Sequence, residues 1–244
     1  MFEYIDRIKE ILNEVESKEK ENIVKASNMM VDAILNKQNI YIFGASHAGI
    51  LTQEMFYRAG GLITINPIFG KELSLSNEPI TITSNMERLQ GYGKILANTR
   101  KISKDDILIL HSVSGRNPVT VELGLTAKEK GAKIISITNL AYSKSTKSRD
   151  KSGKLLYEIS DLVIDNHGSI GDAEIEIKDG LKVSPTSTVI GASILNTVIS
   201  LIAMSLEDKS VDVLPFFYSA NLDGGDELNL QILSKYEEQI DYKY

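Results

Sequence analysis

Cysteine is absent from the 244 residues. That excludes disulfides, thiolate metal sites and a cysteine nucleophile, and it is compatible with a reducing compartment. A basic stripe is also missing: 27 lysines and arginines against 33 aspartates and glutamates leave a net charge of −6, which argues against a nucleic-acid surface. The apolar runs fall short of the roughly 20 residues that span a bilayer. The charge-dense Met1–Lys20 stretch does not read as a signal peptide. These deficits point to a cytoplasmic protein with neither nucleic acid nor membrane as partner. They do not exclude a small anionic ligand, because a local group of backbone N–H donors holds an anion whatever the overall charge. What remains, 42% hydrophobic and 25% charged residues, is the composition of an ordinary globular protein with a substantial core.

Along the chain, Phe2–Leu35 predicts a helix with a break near Ser17–Glu21, giving an N-terminal helical extension over residues 1–37. The strands expected after it are Asn39–Phe43, Leu62–Ile65, Asp106–Leu110, Lys133–Thr138 and Leu162–Asp165. Helices are expected from the first loop to about Ala59, over Asn85–Thr99, from Pro118 to about Lys130, over Pro185–Leu206, and over Asp226–Ile240. Pro67–Pro79 and the basic Ala141–Lys154 stretch read as irregular. Short continuous apolar strands alternating with helices predict a parallel sheet covered on both faces, a doubly wound α/β domain over residues 38–244.

In such a sheet, ligands bind beyond the carboxyl ends of the strands, where strand order reverses. Three segments there have unusual chemistry. Gly44–Gly49 (GASHAG) offers a tight turn, the Ser46 hydroxyl and a helix N-terminus, but it is neither a P-loop nor the G-x-G-x-x-G dinucleotide fingerprint. His111–Asn117 (HSVSGRN) sets Ser112, Ser114 and Gly115 just before a helix opening at Pro118, more hydroxyls than one helix cap needs. Ser184–Thr188 gathers four hydroxyls at the start of the long apolar helix. The three histidines, His47, His111 and His167, all fall at predicted strand ends, where they are candidates to titrate near neutral pH. His47, His167 and Asp172 match no standard zinc spacing, and Asp223–Asp226 lacks the ligands of a calcium loop, so no metal and no cofactor are expected.

Taken together, GASHAG and HSVSGRN resemble the glycine-serine and Ser-x-Ser-Gly loops of the SIS (sugar isomerase) family, the first as in phosphoheptose isomerases. VSPTSTVIGASILN resembles the corresponding helix start of N-acetylmuramic acid 6-phosphate etherases. DNHGSIGDAEIEI and SANLDGGDELN extend the likeness, over nearly the whole chain, to a little-characterised bacterial branch of putative sugar isomerases. The resemblance implies a flavodoxin-like, three-layer α/β/α fold with a five-stranded parallel sheet. It implies a homodimer or higher homo-oligomer whose sites are built partly from the neighbouring subunit. The expected ligand is a sugar phosphate, its phosphate on Ser46, Ser112, Ser114, Gly115 and Thr188, its sugar near Asn117, Asn139 and Ser187.

Isomerisation needs a base for a carbon-bound proton and an acid for the carbonyl oxygen. Glu54 lies near the place where phosphoheptose isomerases carry a catalytic glutamate, and His47 and His167 are the histidines expected beside it. The expected activity is aldose–ketose isomerisation. Phosphosugar lyase or etherase chemistry, and sugar-phosphate sensing without turnover, are the alternatives.

Overall fold

A computed structural model of the chain describes residues 2–243. Two helices open it, α1 (Glu3–Lys18) and α2 (Lys20–Leu35), separated at Glu19. Then come β1 (Ile40–Gly44), α3 (Gly49–Glu54), β2 (Ile65–Pro67), α4 (Thr81–Glu87), α5 (Tyr92–Asn98), β3 (Ile107–His111) and α6 (Pro118–Glu129). The second half comprises β4 (Lys133–Thr138), α7 (Leu140–Lys144), α8 (Leu156–Ile159), β5 (Leu162–Asp165), β6 (Ala173–Lys178), β7 (Leu181–Pro185), α9 (Ser187–Asp208) and α10 (Gly225–Lys235).

Five strands form one sheet in the order β2-β1-β3-β4-β5, every neighbouring pair parallel. Alternation along each strand divides the core between the two faces of the sheet. Ile40, Ile42, Ile107, Ile109, Ile135 and Ile137 share one cluster with Met30 and Ile34 of α2 and Ile190, Ile194 and Ile202 of α9. Tyr41, Phe43, Leu108, Leu110 and Ile134 share the other with Leu96 of α5, Val119 and Leu123 of α6 and Leu156 of α8. Burying such a side chain contributes about 1.5–3 kcal/mol relative to leaving it exposed, which explains why strands without an amphipathic pattern fold into this central layer. The expected doubly wound, three-layer α/β/α fold is present. Ile11 and Val15 of α1, and Ile23, Ala26 and Met30 of α2, lie in the first of these clusters.

α9 is apolar and, at 22 residues, long enough to cross a membrane. Its Ile190, Ile194, Val198, Ile202 and Leu206 are nevertheless buried against the sheet side of the core.

Four expected elements differ from those observed. The helix expected to reach Ala59 ends at Glu54. The apolar run expected as the second strand, Leu62–Ile65, turns away from β1. Leu62 forms an antiparallel bridge to Phe216, and the Ile63 N–H donates to the Pro215 carbonyl at 2.8 Å, so β2 begins only at Ile65. The single helix expected over Asn85–Thr99 is two, parted at Gly91, whose φ of 88° favours glycine. The terminal helix stops at Lys235, and a 3-10 turn over Glu237–Gln239 replaces its end. An antiparallel hairpin, β6–β7, also occupies a stretch for which no strand was expected. Its turn is Asp179–Gly180, with φ of 52° and 81°, the left-handed pair that a tight two-residue hairpin needs.

Candidate functional site

Strand order fixes where the site falls. The chain moves from β1 to β2 on one side, then crosses back to β3 on the other, so order reverses between β1 and β3. A doubly wound sheet leaves a crevice beyond the carboxyl ends of these two strands. Gly44 and His111 are register partners there, and the GASHAG and HSVSGRN loops leave the sheet side by side.

Both loops are held from beneath. The His111 Nδ1–H donates to the Ala48 carbonyl at 3.1 Å, joining one loop to the other. His111 is 1% exposed, and burial holds its pKa below the ordinary value. It therefore serves as a neutral strut, and its Nε2 is buried without a partner. The Thr138 hydroxyl donates to the Ser112 carbonyl at 2.7 Å, and the Asn139 N–H to the Val113 carbonyl at 3.0 Å.

Ser46, with φ of 55°, opens a 3-10 turn that continues into α3. In the second loop the Gly115 N–H donates to the Ser112 hydroxyl oxygen at 3.2 Å, which leaves the Ser112 proton free to donate elsewhere. Gly115 has φ of 60°, and a Cβ on it would lie 3.1 Å from Leu156 Cβ; only glycine turns the chain here without strain. Among the described residues the Ser46 hydroxyl, the Ser114 hydroxyl and the Ser114 N–H have no hydrogen-bond partner. The positive end of α6 follows immediately, with Pro118 in its first turn. A cleft of about 310 Å³, lined by Gly44, Gly49, Gln53, Phe69 and Lys71, adjoins the first loop. The clefts of about 520 and 450 Å³ lie at α10 and between α1, α2 and α9, away from this crevice.

The remaining expected residues are dispersed around this crevice. His47 is exposed on the first loop. Asn117 bridges two charged groups: its Nδ2 donates to Glu87 Oε2 at 2.7 Å, and its Oδ1 accepts from Arg149 at 2.9 Å. Asn139 is 1% exposed; its side chain caps α7 by accepting from the Tyr142 N–H and donates to the Gly168 carbonyl. Ser187 donates its hydroxyl to Asp172 at 2.6 Å, and the Thr186 and Ser187 N–H groups donate to the same carboxylate. An internal anion thus occupies the start of α9, and Thr188 stands one residue further along that helix. His167 donates from Nε2 to Glu19 at 3.0 Å, tying the β5 loop to the junction of α1 and α2. Glu54, the last residue of α3, is ion-paired with Arg58 and accepts from Asn196 at 3.3 Å.

One functional candidate escaped the sequence reading. Glu87, at the end of α4, is partly buried beside the second loop, and burial raises its pKa despite opposing effects from Asn117, Arg88, Arg149 and His47. Its helix carries only a weak sequence signal, and its partner Asn117 is 30 residues away. The one visible hint was a lone carboxylate among the polar residues preceding Gly91.

The strand order β2-β1-β3-β4-β5 makes this a flavodoxin-like, doubly wound α/β protein. Residues 3–139 match the family model of the SIS domain. The UPF0309 protein of Shouchella clausii is 47% identical over 98% of both chains. That of Oceanobacillus iheyensis is 48% identical over 99% of this chain and 98% of its own. Among solved structures, a phosphoheptose isomerase from Francisella tularensis superposes with a TM-score of 0.53 at 15% identity, over 83% of this chain and 95% of that one. The NanR protein of Vibrio vulnificus, complexed with ManNAc-6P, superposes with a TM-score of 0.52 at 13% identity, over 95% of this chain and 67% of that one. The chain belongs to the SIS domain family and, within it, to the UPF0309 proteins.

Proposed function

We propose that this protein binds a phosphorylated sugar between the β1 and β3 loops and interconverts its aldose and ketose forms. The observation that carries this reading is the set of unpaired donors on Ser46 and Ser114, gathered with the Ser112 hydroxyl and the α6 N-terminus at the switch point. Oxygens of a phosphate dianion accept from such groups, and the helix end favours its charge. Names among the structural relatives agree: one is a phosphoheptose isomerase, another a protein complexed with a sugar phosphate.

With the phosphate held by serine loops, the sugar extends toward Glu87 and His47. Glu87 in this reading is the base: it takes the proton from the carbon beside the carbonyl and returns it to the former carbonyl carbon. His47 in this reading gives a proton to the carbonyl oxygen and takes up the proton of the neighbouring hydroxyl, which becomes the new carbonyl. Glu54 is the second carboxylate available for this role, though Arg58 and Asn196 engage it. We also propose that the protein is cytoplasmic and works as a homodimer. Ile177, Leu181 and Val183 on the hairpin are 62%, 61% and 41% exposed, an apolar surface that a second copy would cover.

Ser114→Ala tests the cradle. Removing one hydroxyl donor to a dianion is expected to weaken binding of sugar phosphates roughly 10- to 100-fold, measured by calorimetry against the parent protein. The unphosphorylated sugar should bind neither protein measurably. Equal dissociation constants for the two proteins would refute the cradle.

A further inference from the structure

Three arginines from three separate elements gather on the rim of this crevice. Arg88 follows the last residue of α4, Arg116 lies within the second serine loop, and Arg149 belongs to the basic stretch after α7. The last is held in place: Gln90 donates to the Arg149 carbonyl at 2.8 Å, the Arg149 N–H donates to the Arg116 carbonyl at 2.9 Å, and its guanidinium reaches Asn117. Arg7 and Arg58 have carboxylate partners elsewhere in the molecule. Arg88, Arg116 and Arg149 have no ion pair among the described residues, and Arg116 Nε is buried with no hydrogen-bond partner; Arg100, outside this group, shares both properties.

This arrangement is unusual in a chain of net charge −6, because acidic residues to neutralise it are plentiful. The neighbouring Glu87 bonds Asn117 instead. Arg149 responds to the crowding: burial, then Arg116 and Arg88, hold its pKa below the usual arginine range. Among the described residues Glu87 is the one carboxylate that acts on Arg88 and Arg149, so three guanidinium groups face a single carboxyl. Like charges held together oppose one another, and the excess positive charge fits a role in which something external supplies further negative charge.

We propose that these arginines form a second anion site, so that the ligand is a sugar phosphate carrying a further carboxylate or phosphate at the end remote from the first. This deepens the function proposed above and rests on it for the position of the first phosphate. The guanidinium fork matches planar carboxylate and phosphate oxygens, and Arg116 links the two sites because it stands two residues beyond Ser114. Asn117, three residues beyond Ser114, bonds both Glu87 and Arg149, so in this proposal the sugar's middle carbons pass beside Asn117 and Glu87.

The test compares paired ligands by calorimetry. Glucose 6-phosphate is set against 6-phosphogluconate for the carboxylate, and fructose 6-phosphate against fructose 1,6-bisphosphate for the second phosphate. The parent protein is expected to prefer at least one doubly anionic member by roughly tenfold or more. In an Arg88→Gln/Arg149→Gln double variant that preference should collapse, with the singly phosphorylated ligand bound as before. In Ser114→Ala both members of each pair should weaken together, with the preference kept. A preference lost with the arginines, alongside a Ser114→Ala protein that binds as the parent does, would sustain the arginine site and refute the serine cradle. No preference in the parent, no binding of any of the four ligands, or a preference that survives the double substitution would overturn the proposal.

Discussion

Glu87→Gln is expected to lower turnover by about 10²- to 10⁴-fold, the usual contribution of a positioned acid or base, while sugar-phosphate affinity stays within about twofold. Glutamine keeps the shape and can still accept from Asn117 through its carbonyl oxygen, so the loop should hold. It cannot accept a proton from carbon. The pH profile gives a second reading. Burial raises the Glu87 pKa above its ordinary value of 4.5, and only the ionised form works as a base. The acid limb of kcat/KM should therefore lie above that value and should be missing from any residual activity of the variant. The stability sign follows from the same shift: a carboxyl whose folded pKa is raised stabilises below its unfolded pKa and loses that contribution as pH rises through the folded one. At neutral pH the glutamine variant should thus melt no lower than the parent. A panel of aldose and ketose phosphates followed by NMR supplies the substrate, and calorimetry supplies the affinity. Glu54→Gln is the comparison, with a smaller expected loss because its carboxylate is engaged by Arg58. Full turnover in Glu87→Gln would remove Glu87 from the mechanism.

Gly44→Ala is expected to be the most damaging single-methyl change at the crevice. A Cβ on Gly44 would stand 2.3 Å from the Ala48 carbonyl oxygen and 2.5 Å from its carbon. Those are backbone atoms, and the His111 Nδ1–H donates to the same carbonyl. No rotamer change relieves the clash, so the whole first loop must move. The expected cost is about 3 kcal/mol, or a fall in Tm of roughly 6–12 °C for a chain of this size. Phosphate affinity should fall with it, because Ser46 rides on that loop. Gly60→Ala provides the contrast: nothing lies within 4 Å of its Cβ, and only the φ of 74° opposes it, so a loss near 1 kcal/mol is expected. Calorimetric melting of both variants distinguishes clash from backbone strain, and equal melting temperatures would contradict the account of the loop.

The parts of this fold that were legible in the sequence are those set by local pattern. β4 and β5 stand at their expected residues because KIISIT and LVID are short apolar runs between turn residues. β1 and β3 are displaced by a single residue. Leu62–Thr64 was misassigned because hydrophobicity reports burial and not the partner: the run is buried, but against residues 215–217 and not β1. The hairpin carries a strong local signal, Asp179-Gly180 between alternating residues, but its Ile177, Leu181 and Val183 are exposed, so no core pattern accompanies it. The serine loops were legible because glycine and hydroxyls adjoin strand ends. Glu87 and the three arginines were not, since their proximity is produced by packing α4, the second loop and the stretch after α7 together, and no spacing along the chain encodes that.

The central claim is that a dianion sits between the β1 and β3 loops. A crystal structure determined from phosphate-containing solution tests it most directly. The account predicts tetrahedral density within about 3.2 Å of the Ser112 and Ser114 hydroxyls, with Ser46 turned toward it. An empty crevice at high phosphate, or Ser46 and Ser114 turned away from one another, would contradict it.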